Sequence, residues 1–175
     1  DCDCNGNVLD ACGVCGGTIE SASACAFTPN NLDELRTAVN LCLDEDTTGD
    51  CRDFANTEVP SEQGSGKYGA IGFWNVSKVT SFDGLFSQRS DFNQPIGAWD
   101  ISSVSTLSYT FYRALAFNQD LSSWVTTLNI NDNVFKYSAM CDVVKGGRCD
   151  CDGSVRDECG VCAGSGIPEG TCDCG

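Results

Sequence analysis

The chain has 175 residues, a formal net charge of −15, fourteen cysteines and no histidine. That charge excludes nucleic acid and anionic membrane surfaces as natural partners, and the length allows one core of ordinary size or a small core with satellites. Cysteine at this density requires an oxidising compartment, so the expected location is extracellular, secreted or on a cell surface. The competing reading, a cytosolic zinc protein built on the Cys-x-x-Cys pairs, is disfavoured by the lack of histidine and by the Asp/Gly-rich surroundings. With no initiator Met, no signal peptide and no apolar stretch of membrane-spanning length, the sequence reads as a mature or excised segment without membrane insertion.

Charge, cysteine and aromatic residues all divide the chain along the same borders. Residues 1–66 carry 13 acids and 2 bases, residues 67–140 carry 5 of each, and residues 141–175 carry 7 acids and 3 bases. The stretch 67–140 holds 14 of the 16 aromatic residues and no cysteine, and each flank holds seven cysteines. The middle therefore folds by burying aromatic surface, whereas the flanks need covalent staples. The expected organisation is a cysteine-rich disulfide module at 1–29, a helix-capped repeat domain at 30–140 and a second disulfide module at 141–175.

The first module contains Cys2, Cys4, Cys12, Cys15 and Cys25. Asp1, Asp3, Asn5, Asn7 and Asp10 alternate around Gly6 in the manner of a calcium loop. A solvated acidic turn between half-cystines is the plainer alternative. Calcium is the one cofactor the sequence offers. The Cys12-Gly-Val-Cys15 pair lacks a nearby base or helix N-terminus to activate a thiolate, so it reads as structural rather than redox-active.

Asn31 then stands as an N-cap before Leu32-Asp-Glu-Leu-Arg-Thr-Ala-Val-Asn-Leu-Cys42, with acids in the first turn. Leu32, Leu35, Val39 and Cys42 share one face, which predicts a helix lying over the end of the repeat domain. Residues 44–66 read as loop, and Cys51 is near enough to staple its start to Cys42.

Trp74, Trp99 and Trp124 recur every 25 residues. Val76, Val79, Phe82, Phe86, Phe92 and Ile96 recur as Ile101, Val104, Leu107, Phe111, Phe117 and Leu121. A shortened third unit places Val125, Leu128 and Phe135 in the same pattern and puts Cys141 where Phe92 and Phe117 stood. A period of this length indicates a solenoid. The β-branched runs after each tryptophan suit short parallel strands. The expected fold is mainly β and irregular: a leucine-rich-repeat-like solenoid of about 2.5 coils with an N-terminal capping helix, flanked by small disulfide-rich modules. The tryptophans read as a core ladder in preference to a sugar-stacking platform. Asn75-Val-Ser77 is an N-glycosylation sequon.

The tail repeats the opening phrase at a constant offset of 147 residues, with Cys149, Cys151, Cys159, Cys162 and Cys172 matching the first five cysteines. Cys174 follows at the end. Asp150, Asp152 and Asp157 keep part of the calcium pattern, although Arg148 stands where Asp1 stood. Seven cysteines on each side mean that full internal pairing needs an odd number of bridges between the flanks. The alternative is that end cysteines such as Cys2 and Cys174 pair with a neighbouring molecule.

Leu35-Arg-Thr-Ala-Val, Tyr68-Gly-Ala-Ile-Gly-Phe-Trp74-Asn-Val-Ser-Lys-Val and Phe92-Asn-Gln-Pro-Ile-Gly-Ala-Trp99-Asp-Ile-Ser-Ser-Val resemble the 25–26-residue surface-protein repeat first associated with mycoplasma lipoproteins. That family is related to BspA-like leucine-rich repeats. The third unit departs from it, being one residue short and lacking Phe-Asn-Gln. The Asp-x-Cys-Gly-Val-Cys-Gly-Gly phrase is similar to small disulfide units of secreted microbial and algal proteins. The resemblance implies an extracellular solenoid for adhesion or surface structure, with no catalytic residues to carry over.

No nucleophile with an adjacent base and no phosphate loop is present, so an enzyme is the least supported class. The expected function is a structural module of a surface fibre, sheath or adhesive appendage, whose partners are copies of itself or related surface proteins. The alternative is a glycan- or protein-binding adhesion module.

Overall fold

A computed structural model of the chain describes residues 8–14, 20, 25, 27–125 and 134–138. Helix α1 spans Leu32–Glu45. It starts where Asn31 Oδ1 accepts the Glu34 N–H at 2.9 Å, and the Glu34 carboxylate reaches back to accept the Asn30 N–H at 2.8 Å, so two N-terminal donors are satisfied by side chains. Leu35, Ala38, Val39, Cys42 and Leu43 form its buried face. Its outer edges reach the loops beside it, with Arg36 donating to the Asp83 carbonyl and Arg89 donating to Asn40 Oδ1.

The chain then reverses. The Asp46 carboxylate accepts both the N–H and the hydroxyl of Thr48, Gly49 takes a left-handed φ of 90°, and the Cys42–Cys51 disulfide closes the loop. A short helix, α2 (Arg52–Ala55), follows where the sequence reads as loop. The Glu45 carboxylate caps it by accepting the N–H groups of Asp53 and Phe54 at 2.9 and 2.7 Å. A second disulfide, Cys12–Cys25, makes a small cluster with Val14 and Ala55. Ala70 N–H donates to the Cys12 carbonyl at 3.0 Å, which seats this staple on the 55–70 segment. Phe27, two residues beyond the staple, lies in the main core against Tyr68 and Trp74.

From Ile71 onward the chain is built of turns, and here the expected fold is corrected. Neither a β-sheet nor a leucine-rich-repeat-like solenoid is formed among the described residues. A 3-10 turn at Ile71–Phe73, a four-residue helix α3 (Ser122–Val125) and isolated bridges such as Ser81 with Thr106 are what the stretch contains. The reason lies in local hydrogen bonding. Asn75, Asp100 and Asp120 accept the N–H groups of Ser77, Ser102 and Ser122 through their side chains, and Val79 and Val104 donate to Val76 and Ile101. These bonds consume the backbone groups that a strand ladder would need, as Asx turns commonly do. The β-branched residues are therefore buried from turns, not from strands.

Residues about 25 apart still lie side by side. Gly84, Phe86 and Gln88 donate to the carbonyls of Ser108, Thr110 and Tyr112, and Phe111 and Arg113 donate to Val134 and Lys136. This register stacks the phenyl rings: Phe86 on Phe111 at 5.5 Å, Phe111 on Phe135 at 5.2 Å, and Phe92 on Phe117 at 5.7 Å, all within 10° of parallel. Each such pair adds about 0.5–1.5 kcal/mol beyond its burial. Trp74, Trp99 and Trp124 are buried beside them. The Trp74 and Trp99 indoles donate to the carbonyls of Gly69 and Ile71, so these tryptophans are pillars of the core.

Close approach fixes two glycines. A Cβ on Gly72 would overlap the Pro95 carbonyl oxygen, and one on Gly97 would overlap that of Asp120. Gly97→Ala should therefore lower stability by about 1–3 kcal/mol, read from urea unfolding; an unchanged midpoint would mean that the loops are not held at this spacing. The Asx turns supply a second test. The Ser102 N–H holds the Asp100 carboxyl below its ordinary value of 3.8, and the Ser122 N–H does the same for Asp120. A lowered folded-state value stabilises at pH above the ordinary value and is lost as pH falls through the lowered one. Replacing both with Asn, which already makes this turn at position 75, should flatten the decline of the thermal midpoint below about pH 4.

Candidate functional site

The sites read from sequence are only partly within the described residues. Asp1, Asp3, Asn5, Asn7, Asp150, Asp152 and Asp157 lie outside them, as do Cys2, Cys4, Cys15, Cys141, Cys149, Cys151, Cys159, Cys162, Cys172 and Cys174. Asp10 is described. Its Oδ1 accepts the N–H groups of Cys12 and Val14, both at 2.9 Å, so this carboxylate organises the turn that presents Cys12 to Cys25. Among the described residues no group of three acidic or cysteine side chains converges as a metal site. Asn75 is exposed; its Oδ1 accepts the Ser77 hydroxyl at 2.7 Å.

A shallow cleft of about 40 Å³ lies between Val14, Cys51, Ala55 and Gln94. It has room for a water molecule or two and for nothing of substrate size. Chemistry of another kind is displayed on the surface of the turns 107–113 and 134–138.

These turns are pinned from inside. Thr110 is buried, and its hydroxyl sits at 2.7 Å from the Leu107 carbonyl and 3.0 Å from that of Phe82. Successive bonds from Thr110, Tyr112 and Ala114 to Leu107, Tyr109 and Phe111 wind the segment tightly. With Phe111 and Ala114 directed into the core, Tyr109 faces out and is 48% exposed; Tyr137 is 36% exposed. The rings of Tyr109, Tyr112 and Tyr137 form a row, with centroids 5.8 and 5.7 Å apart and edges turned to faces. The Arg113 guanidinium lies 5.4 Å from the Tyr112 ring and 5.7 Å from the Tyr137 ring, and the Lys136 ammonium is 5.4 Å from Tyr137.

Three of these residues adopt left-handed backbone: Tyr109 and Arg113 at φ 56° and Tyr137 at φ 62°. The conformation costs an L-residue about 1–2 kcal/mol. One unit earlier, the position of Tyr109 is occupied by Gly84, at φ 64°. The position of Arg113 is occupied one unit earlier by Gln88, itself at φ 62°, so the left-handed backbone recurs with the repeat.

Two further observations bear on class. Among the described residues no helix is long and apolar enough to cross a membrane. The two disulfides belong to the chemistry of an oxidising compartment. Residues 61–143 match a family model. It is described as "Mycoplasma protein of unknown function, DUF285", and the match covers somewhat less than half of the chain. It fits the mycoplasma-type resemblance in outline and leaves the specific repeat type open. No curated protein and no solved structure matches the chain.

The row of tyrosines was not singled out from sequence. The available signal was that Tyr109, Tyr112 and Tyr137 fall off the apolar positions of the 25-residue period, so they have no place in the stack. Replacing Tyr109 with Gly should leave stability unchanged or raise it by up to about 1 kcal/mol, because the left-handed backbone is relieved. A clear loss in thermal unfolding would show that the ring supports the fold.

Proposed function

We propose that this chain is an extracellular structural module, a non-catalytic link in a surface fibre, sheath or adhesive appendage assembled through its cysteine-rich flanks. The observation that carries this reading is the way covalent and aromatic reinforcement coincide. Cys12–Cys25 and Cys42–Cys51 close two loops within the acid-rich N-terminal part, which packs against a core of stacked rings. A link in an assembly needs this kind of resistance to local opening, since a short constrained loop raises stability by about 2–3 kcal/mol. The similarity of residues 61–143 to a mycoplasma-type family supports surface residence. Asn75, exposed and the first residue of the sequon Asn75-Val-Ser77, is where an N-glycan would attach in this reading. The partners in this reading are copies of the chain or related surface proteins.

A second reading, a glycan- or protein-binding adhesion module, draws on the exposed tyrosine row with its two cations. Non-reducing mass spectrometry of the native material separates the two. Covalent multimers that collapse on reduction are expected of the link, whereas clean monomers with all cysteines paired internally would sink it.

A further inference from the structure

We propose that the tyrosine–arginine surface of residues 109–113 and 136–137 is a non-covalent docking site for a second copy of this chain, and that its occupant is the acidic segment 44–53, which runs from the last turn of α1 into α2. This rests on the structural-module reading only in choosing a second copy as the partner.

The argument begins with an imbalance. The chain carries 25 acidic and 10 basic residues, so a cation has many carboxylates available to it. Arg36, Arg52 and Lys67 each hold one, at 3.3, 3.2 and 2.8 Å. Arg113 holds none among the described residues; its guanidinium lies against the rings of Tyr112 and Tyr137 instead, at 5.4 and 5.7 Å from their centroids. An arginine lying against aromatic rings keeps its planar fork of donors oriented and partly desolvated, ready for a carboxylate from outside. Tyrosine and arginine are also the residue types that dominate binding energy at protein interfaces.

The complementary surface is present on the same molecule. Residues 44–53 contain Asp44, Glu45, Asp46, Asp50 and Asp53. The loop is held rigid by Cys42–Cys51 and by the Glu45 cap of α2. Asp46 is committed to Thr48 and Asp50 to Arg52, which leaves Asp44 and Asp53 as the exposed carboxylates best placed to accept from a neighbour. The two surfaces are different patches of one chain. Contact between copies is therefore heterologous, and such contacts propagate into open chains unless the rotation happens to close a ring.

The test is a charge swap on the full chain, followed by sedimentation equilibrium at about 0.1 M salt, where contact charges act and distant ones are screened. The unaltered chain should associate with increasing concentration. Arg113→Glu with Lys136→Glu should weaken association at least about tenfold, and so should Asp44→Lys with Asp53→Lys; the four changes together should recover it. Lys136→Glu alone and Tyr112→Ala guard against a variant that fails to fold, and Tyr112→Ala should cost about thirtyfold if the ring is an anchor. A chain that stays monomeric at all concentrations overturns the proposal, as does association indifferent to these changes or a swap that recovers nothing. Saturable binding of a glycan array abolished by Arg113→Glu would assign the surface to a carbohydrate and overturn it too. All these readouts are made on chain carrying Cys2→Ser and Cys174→Ser, the end cysteines that the structural reading pairs with a neighbour, so the association read is non-covalent and a failure here leaves the covalent-multimer test of the structural module untouched.

Discussion

The rest of the molecule depends on the spacing set by its stacked rings. Phe86, Phe111 and Phe135 lie nearly parallel at just over 5 Å, close to the separation at which neighbouring backbones exchange hydrogen bonds. Ring stacking and backbone bonding from 84–88 to 108–112 therefore reinforce each other. The absence of a side chain at Gly97 lets the Asp120 carbonyl come in at that spacing. Were the rings replaced by smaller aliphatic residues, the turns would lose their lateral partners along with their packing.

Turns packed in this way produce an outer surface unlike that of a sheet. A strand presents alternate residues at regular intervals, whereas tight turns with left-handed residues throw neighbouring side chains out in close groups. Tyr109, Tyr112 and Arg113 are within four positions of one another and share one exterior patch with Tyr137 because the backbone at 109, 113 and 137 has positive φ. The strain and the patch are two aspects of one arrangement.

Legibility in the sequence followed the strength of local signals. Helix α1 could be read from Asn31, its acidic first turn and the face of Leu35, Val39 and Cys42, because capping and periodicity act within a few residues. The burial of the tryptophans follows from their recurrence. The strands expected after Trp74 and Trp99 failed because Val76, Val79, Ile101 and Val104 have high β preference, while the residues that decide their backbone are Asn75 and Asp100, one position before. Asn-Val-Ser and Asp-Ile-Ser carry the turn signal that overrides β-branching here. The tyrosine patch was hidden for a different reason: it needs residues from separate turns, and only the fold brings position 112 to position 137.

The Cys42–Cys51 bridge has a mechanical consequence. A bridged segment cannot lengthen when the chain is pulled, so the nine peptide steps between these cysteines withhold about 30 Å of contour from extension. Cys12–Cys25, thirteen steps apart, withholds about 45 Å more. Under tension the turns of the middle would open one after another while the stapled segments kept their length. Chemical reduction would release that length, so part of the contour this chain can yield under tension depends on the redox state of its surroundings.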